Sequence, residues 1–195
     1  MKIGLISDTR IPGVAKEVPA QVTRAFEGVD LILHAGGVQV AWVLDWLEQI
    51  APVKAVGRIQ GGQYESNTPF AVQNADDPRV AQEQVLQVEG HTIGMVNSLD
   101  FDPLNDDVIP GIIARKKFPE GAIAKMVESL FKAPVDIVIF GRTLEAMIEE
   151  HDGILLINPG SPTIPRNIMK LGQVAILELT PDRRDARIID LTTLD

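Results

Sequence analysis

Short apolar runs, each cut off by glycine or a polar turn, restrict this chain more than any other feature. They are "KIGLIS" (2–7), "DLILHAGG" (30–37), "VKAVG" (53–57), "DIVIFG" (136–141) and "GILLINPG" (153–160). Near-continuous apolar runs of this length read as strands buried on both faces, with their carboxyl ends opening onto loops. Helical spacing separates the first three. Pro19 opens a segment in which Val22, Ala25 and Phe26 share a face, and residues 40–50 align Val40, Val43, Leu44, Leu47 and Ile50. A third helix is expected over 121–132, with Pro134 ending it. Other runs read as hairpin or edge strands: "QVLQVEG" with "HTIGMVN" across Glu89-Gly90, and "GQVAILELT" (172–180) with "ARIIDLTTL" (186–194) across a looser turn from Pro181 to Asp185. The order βαβαβ, then a hairpin, a helix and further strands, predicts one mixed α/β domain over 1–195. Residues 60–84, polar and rich in Gly, Gln and Asn, are expected to form a long surface loop within it.

Composition narrows the partners. The chain of 195 residues carries 27 acidic against 18 basic side chains, a net charge of −9. A field of that sign disfavours nucleic acid and anionic membrane surfaces. The absence of cysteine excludes disulfides, thiolate metal sites and cysteine nucleophiles. "MKIGLISDTR" meets an Asp too early for a signal-peptide core, and no run is long enough for a membrane helix. A cytoplasmic location is the expectation.

In an α/β sheet, ligands gather at the carboxyl ends of strands. Here those ends read "SDTR" (7–10), "HAGGV" (34–38), "GRIQGG" (57–62), "VNSLD" (96–100), "FGRTLE" (140–145) and "INPGS" (157–161). Together they resemble the calcineurin-like metallophosphoesterases, in the branch of small phosphodiesterases that includes the retromer subunit Vps29. "INPGSPTIPR" is the most specific piece, with "VDLILHAG" and "VDIVIFGRT" in support, and the likeness runs over essentially the whole chain. The resemblance implies a four-layer α/β/β/α sandwich with mixed sheets. It also implies motifs D-x-H, G-D, G-N-x-D, a lone His and G-H-x-H, which hold two divalent metals about 3.5–4 Å apart and activate water for phosphoester hydrolysis.

Carried across residue by residue, those motifs are mostly broken. Asp8 remains, but Arg10 replaces its neighbouring His and Gly37 replaces the bridging Asp. G-N-x-D falls on Gly57 to Gly61, with Arg58 or Ile59 where the Asn belongs. Asn97 replaces the lone His, and Arg142 and Leu144 replace the final pair. His34, His91 and His151 all lie off the motif. An arginine roughly 6 Å from a divalent ion repels it by on the order of 5 kcal/mol at an effective dielectric of about 20. The expected site is therefore Asp8, Arg10, Gly37, Arg58, Asn97, Arg142, Asn158 and Ser161, acting on a ligand without catalytic residues or a resident cofactor. Asp8 and Asn97 are the positions left that could touch a metal.

Two readings of the arginines stay open. Arg10 either fills space and pairs with Asp8, or joins Arg142 and Arg58 in an anion pocket to which "NPGS" adds backbone N–H groups. Asp100, Asp102 and Glu145 offer a weaker option, an oxygen site for Mg²⁺ or Ca²⁺ with Asp8. His34 is expected to support its loop through a hydrogen bond. Trp42 and Trp46, at i and i+4, either cap the core or anchor a partner. The function expected is a non-catalytic scaffold or a binder of a small anion or phosphorylated ligand, with a protein partner or homo-oligomer as its context. The alternative is a phosphodiesterase or phosphatase retaining a rebuilt or single-metal site, with Mn or another divalent ion.

Overall fold

Every expected apolar run becomes a strand, and the runs divide between two sheets. The computed structural model describes residues 1–11, 15–57, 77–100, 107–163 and 171–194. In chain order the elements are β1 (Lys2–Ile6), α1 (Gln21–Ala25), β2 (Leu31–His34), α2 (Trp42–Glu48), β3 (Val53–Val56), β4 (Val80–Ala81), β5 (Glu83–Val88) and β6 (His91–Val96). There follow α3 (Ile112–Lys116), α4 (Ala122–Phe131), β7 (Ile137–Ile139), β8 (Met147–His151), β9 (Ile154–Asn158), β10 (Gln173–Thr180) and β11 (Arg183–Asp190). The first sheet has the order β11-β10-β1-β2-β3-β4 and the second β5-β6-β7-β9-β8. Both are mixed: β1 to β4 run parallel with β10 and β11 added antiparallel, while β6, β7 and β9 run parallel between antiparallel β5 and β8.

Three buried layers explain the apolar runs. Ile3, Leu5, Leu33, Ile93, Ile137, Ile139 and Leu177 fill the space between the sheets. Alternate residues of the same strands face outward: Ile6 and Ile32 meet Val22 and Phe26 of the α1 segment and Val43, Leu44 and Leu47 of α2. On the other side Val138 and Leu156 meet Ile113 of α3 and Ile123, Val127 and Phe131 of α4. Strands apolar on both faces are therefore strands covered on both faces. The result is the α/β/β/α sandwich.

Two glycines set the spacing of the outer layers. A Cβ on Gly4 would lie 3.0 Å from the Phe26 ring, and one on Gly94 would lie 2.7 Å from the Phe131 ring. In each sheet an inner strand lacks a side chain where the phenylalanine of an outer helical segment presses closest.

The structure departs from expectation in four places. Residues 60–76 of the expected long loop lie outside the described residues, and half of the remainder is strand rather than loop. Val80 packs on the layer beneath α1 and α2 and pairs with Ala55 as part of β4, and β5 begins at Glu83. Arg79 secures that edge through Asp77, Asp45 and Glu48 at 2.6–2.7 Å. The turn expected from Pro181 to Asp185 is tighter, because Thr180 pairs with Arg183 and leaves Pro181-Asp182 as the turn. The charged start of β11 reads as loop because this edge strand faces water. Its end comes early too, with a 3₁₀ turn over Leu191–Thr193 in place of the last strand residues. Strand β8 and helix α3 were not expected; "MIEEH" and "IIARK" are too polar or too short to show a period. Among the described residues no helix is long and apolar enough to cross a membrane.

The close approach at Gly94 gives a direct test. Gly94→Ala should destabilise the fold by about 1–3 kcal/mol in urea unfolding, the usual cost of overpacking, and Phe131→Leu in the same chain should return part of it.

Candidate functional site

The carboxyl ends of the parallel strands in both sheets come together at one end of the sandwich. Sequence alone brought most of the expected residues to this place, and the structure shows what they touch. Asp8 follows β1, and its side chain is 3% exposed. Its Oδ2 accepts the backbone N–H of Arg142, after β7, at 2.8 Å. Its own N–H donates to Gly36 O at 2.7 Å, and its carbonyl lies 2.9 Å from Ser161 Oγ. One residue thus ties the end of β1 to loops of both sheets.

Arg10 pairs with Asp8, as the first reading of it expects, but loosely. Its Nε stands 3.8 Å from Asp8 Oδ1, an ion-pair distance too long for a hydrogen bond. The group that satisfies Asp8 is the main chain of Arg142. The Arg142 guanidinium itself turns outward to an exposed ion pair with Asp107. The two guanidinium groups therefore have separate carboxylate partners, and Arg58 lies outside the described residues. Asp107 was not anticipated, since "NDDV" carries no spacing that links it to position 142.

Gly37 lies against Asp8. A Cβ there would lie 2.6 Å from Asp8 Cα and 2.7 Å from Asp8 Oδ1. Asn97 donates from Nδ2 to Ala35 O at 2.9 Å, and its main-chain carbonyl accepts Gly141 N–H at 2.9 Å. Asn158 is buried and donates to Thr143 Oγ1 at 2.9 Å, while its Oδ1 accepts Gly160 N–H at 2.9 Å. Ser161 Oγ also lies 2.6 Å from Thr163 O, and Ser7 Oγ donates to Gly160 O at 2.7 Å. Ser7 and Ser161 are links between the sheets.

His34 is wholly buried. Its Nε2 lies 3.3 Å from Thr9 Oγ1, and Nδ1 has no hydrogen-bond partner among the described residues. Burial pulls its pKa down to about 3, so the ring is neutral. It supports the loop as expected, through one long contact. Asp100 accepts from Ser98 Oγ at 3.0 Å, Glu145 is exposed, and Asp102 lies outside the described residues. Among the described residues no three His, Cys, Asp or Glu side chains gather as a metal ion would need.

Backbone strain concentrates here. Non-glycine residues with positive φ include Glu89 and Asp152 in hairpin turns and Lys117 and Lys132 ending α3 and α4. The remaining four, Asp8, Arg10, Arg142 and Leu144, all belong to this site.

Burial raises the Asp8 pKa above the ordinary carboxylate value, opposed by the Arg142 amide, the Ser7 hydroxyl and the charge of Arg10. A raised folded-state pKa means that the folded chain favours the protonated acid. Its stabilising contribution is complete below the unfolded pKa and is lost as pH rises through the folded value. Asp8→Asn should therefore gain stability over the natural chain as pH is raised from below the carboxylate range to neutrality. Thermal denaturation across that range, taken as the difference between the two chains, cancels the other carboxylates. A difference independent of pH would show that Asp8 carries its charge without cost.

The profile of the calcineurin-like phosphoesterase superfamily domain matches residues 1–182. A protein named probable metallophosphoesterase, from Methanothermobacter thermautotrophicus, is 30% identical over 189 residues, covering 97% of this chain and 92% of its own. Among solved structures, a Vps29 single mutant from Entamoeba histolytica superposes with a TM-score of 0.62 at 16% identity, covering 97% of this chain and 99% of that one. An archaeal phosphodiesterase does so with a TM-score of 0.60 at 19% identity and the same coverage. Strand-end motifs, two mixed sheets between helical layers and these matches agree, and the chain belongs to the calcineurin-like metallophosphoesterase superfamily.

Proposed function

We propose that this family member is not a hydrolase but a binding protein that uses the sandwich as a scaffold. The observation that carries the reading is the state of Asp8, the one family ligand kept. A metal-bridging centre needs open carboxylate oxygens and neutral imidazoles converging on a common point. Here one Asp8 oxygen is held by the Arg142 amide and the other faces Arg10, while Asn97 directs its amide N–H to a carbonyl. The described residues of the site do not fit a pair of divalent ions.

A second reading, a phosphodiesterase or phosphatase working through a rebuilt or single-metal site, draws support from the strained backbone at Asp8, Arg10, Arg142 and Leu144, since strain is commonly stored where chemistry is done. Metal content after purification with and without Mn²⁺, with bis-p-nitrophenyl phosphate turnover on the same samples, separates the two. The scaffold reading expects neither stoichiometric metal nor turnover. Metal with turnover abolished by Asp8→Ala would establish the enzyme.

What is bound follows from the exposed surface. With the Arg142 guanidinium engaged by Asp107, the case for a two-arginine anion pocket weakens and that for a protein partner or second copy gains. Trp42 is 40% exposed at the start of α2, whereas Trp46 packs on the core. Trp42→Ala should leave stability within about 0.5 kcal/mol, as surface changes do, while reducing partner capture or shifting oligomeric state in light scattering. Trp46→Ala should instead cost stability.

A further inference from the structure

The misfit between this site and the family's metals is sharper at Gly37 than elsewhere. Gly36 and Gly141 stand where the family motifs themselves carry glycine; Gly37 stands where they carry the bridging carboxylate. A Cβ at Gly37 would meet Asp8 Cα at 2.6 Å, a backbone atom that cannot rotate away. Asp8 also cannot retreat cheaply. The two loops are hydrogen-bonded to each other, Asp8 N–H to Gly36 O at 2.7 Å and Arg10 N–H to Gly37 O at 3.1 Å. From the other sheet the Arg142 amide holds Asp8 Oδ2 at 2.8 Å and the Ser161 hydroxyl lies 2.9 Å from its carbonyl. Ser7 Oγ to Gly160 O and Asn97 Nδ2 to Ala35 O add two more links between the sheets.

We infer that in this chain the family's metal centre has been replaced by a clasp between the two sheets, closed on main chain at Gly37, so that restoring the family's side chains at positions 10, 37, 97, 142 and 144 does not restore metal binding. The inference rests on the non-catalytic reading above and goes further. It states that Asp8 holds strand ends together as a positioning residue, and that its neighbourhood has no room for the lost ligand.

Gly28 supplies the control. Its φ is +69°, close to the +77° of Gly37, but a Cβ there would meet nothing within 4 Å. Alanine at either position bears the strain of a left-handed backbone; only at Gly37 does it also meet Asp8. Gly37→Ala should therefore lose clearly more Tm than Gly28→Ala, about twofold or greater. Equal losses would overturn the clasp. Independently, a chain carrying Arg10→His, Gly37→Asp, Asn97→His, Arg142→His and Leu144→His should take up no stoichiometric Mn²⁺ by calorimetry and mass spectrometry. Saturable uptake of Mn²⁺ by that chain, folded and as stable as the natural one, would also overturn the clasp while leaving the scaffold reading intact. Metal in the natural chain would instead overturn the scaffold reading. Should the fivefold variant not fold, the two glycine substitutions decide the matter alone.

Discussion

One hydrogen bond across the sandwich, from the Arg142 amide to the buried Asp8 carboxyl, governs the arrangement of this end of the protein. Strands that end together leave main-chain groups that must be satisfied without water. Asp8 meets that need in both directions, accepting from one sheet's loop and donating to the other's. An asparagine could make the same acceptor contact without the desolvation that raises the Asp8 pKa. The link therefore does not require an acid. The family motif accounts for the residue type.

The far end of the sandwich is fastened by different means. Arg184 of β11 donates to Asp136 O and Gly153 O, each at 2.7 Å, reaching the start of β7 and the β8–β9 turn. His91 Nε2 lies 2.9 Å from Thr180 O, beside the tight hairpin at Pro181. Between these ends the space between the sheets is filled by apolar side chains, and Gln84 Nε2 of β5 donates to Ala55 O of β3 at 2.6 Å along one edge. Polar links at both rims around an apolar centre fix the relative rotation of the sheets, which hydrophobic contact, being non-directional, does not. The outer helices are fixed in turn where Phe26 and Phe131 press on Gly4 and Gly94.

Much of this was legible in the sequence because burial on two faces leaves a strong trace. A run such as "DIVIFG" admits few other environments, and the i, i+4 spacing of Ile123, Val127 and Phe131 marks one face of α4. Strand β8 escaped because its partly exposed residues are Ile148, Glu149, Glu150 and His151, with no alternation to follow. β4 escaped because two residues have no period at all. At the site, the list of positions was readable from the strand ends, but side-chain direction was not. Arg142 was expected to point inward; a positive φ of 71° puts its amide, rather than its guanidinium, beside Asp8. Nothing in the residue types distinguishes those outcomes, since conformation at a left-handed position depends on contacts more than a hundred residues away.

The strained backbone, at first sight the best argument for retained chemistry, has a simpler account. Left-handed residues other than glycine cost on the order of 1–3 kcal/mol each and persist only where the surroundings hold them. Here main-chain bonds hold the turns concerned: Asp8 N–H to Gly36 O, Arg10 N–H to Gly37 O, Arg142 N–H to Asp8, and Thr143 N–H to Gly141 O beside Leu144. The first three close one strand end against another, the fourth is local to its turn, and none needs a particular side chain at position 10, 142 or 144. The conformation therefore belongs to the architecture of the sandwich rim. The strain is therefore compatible with a site that performs no catalysis.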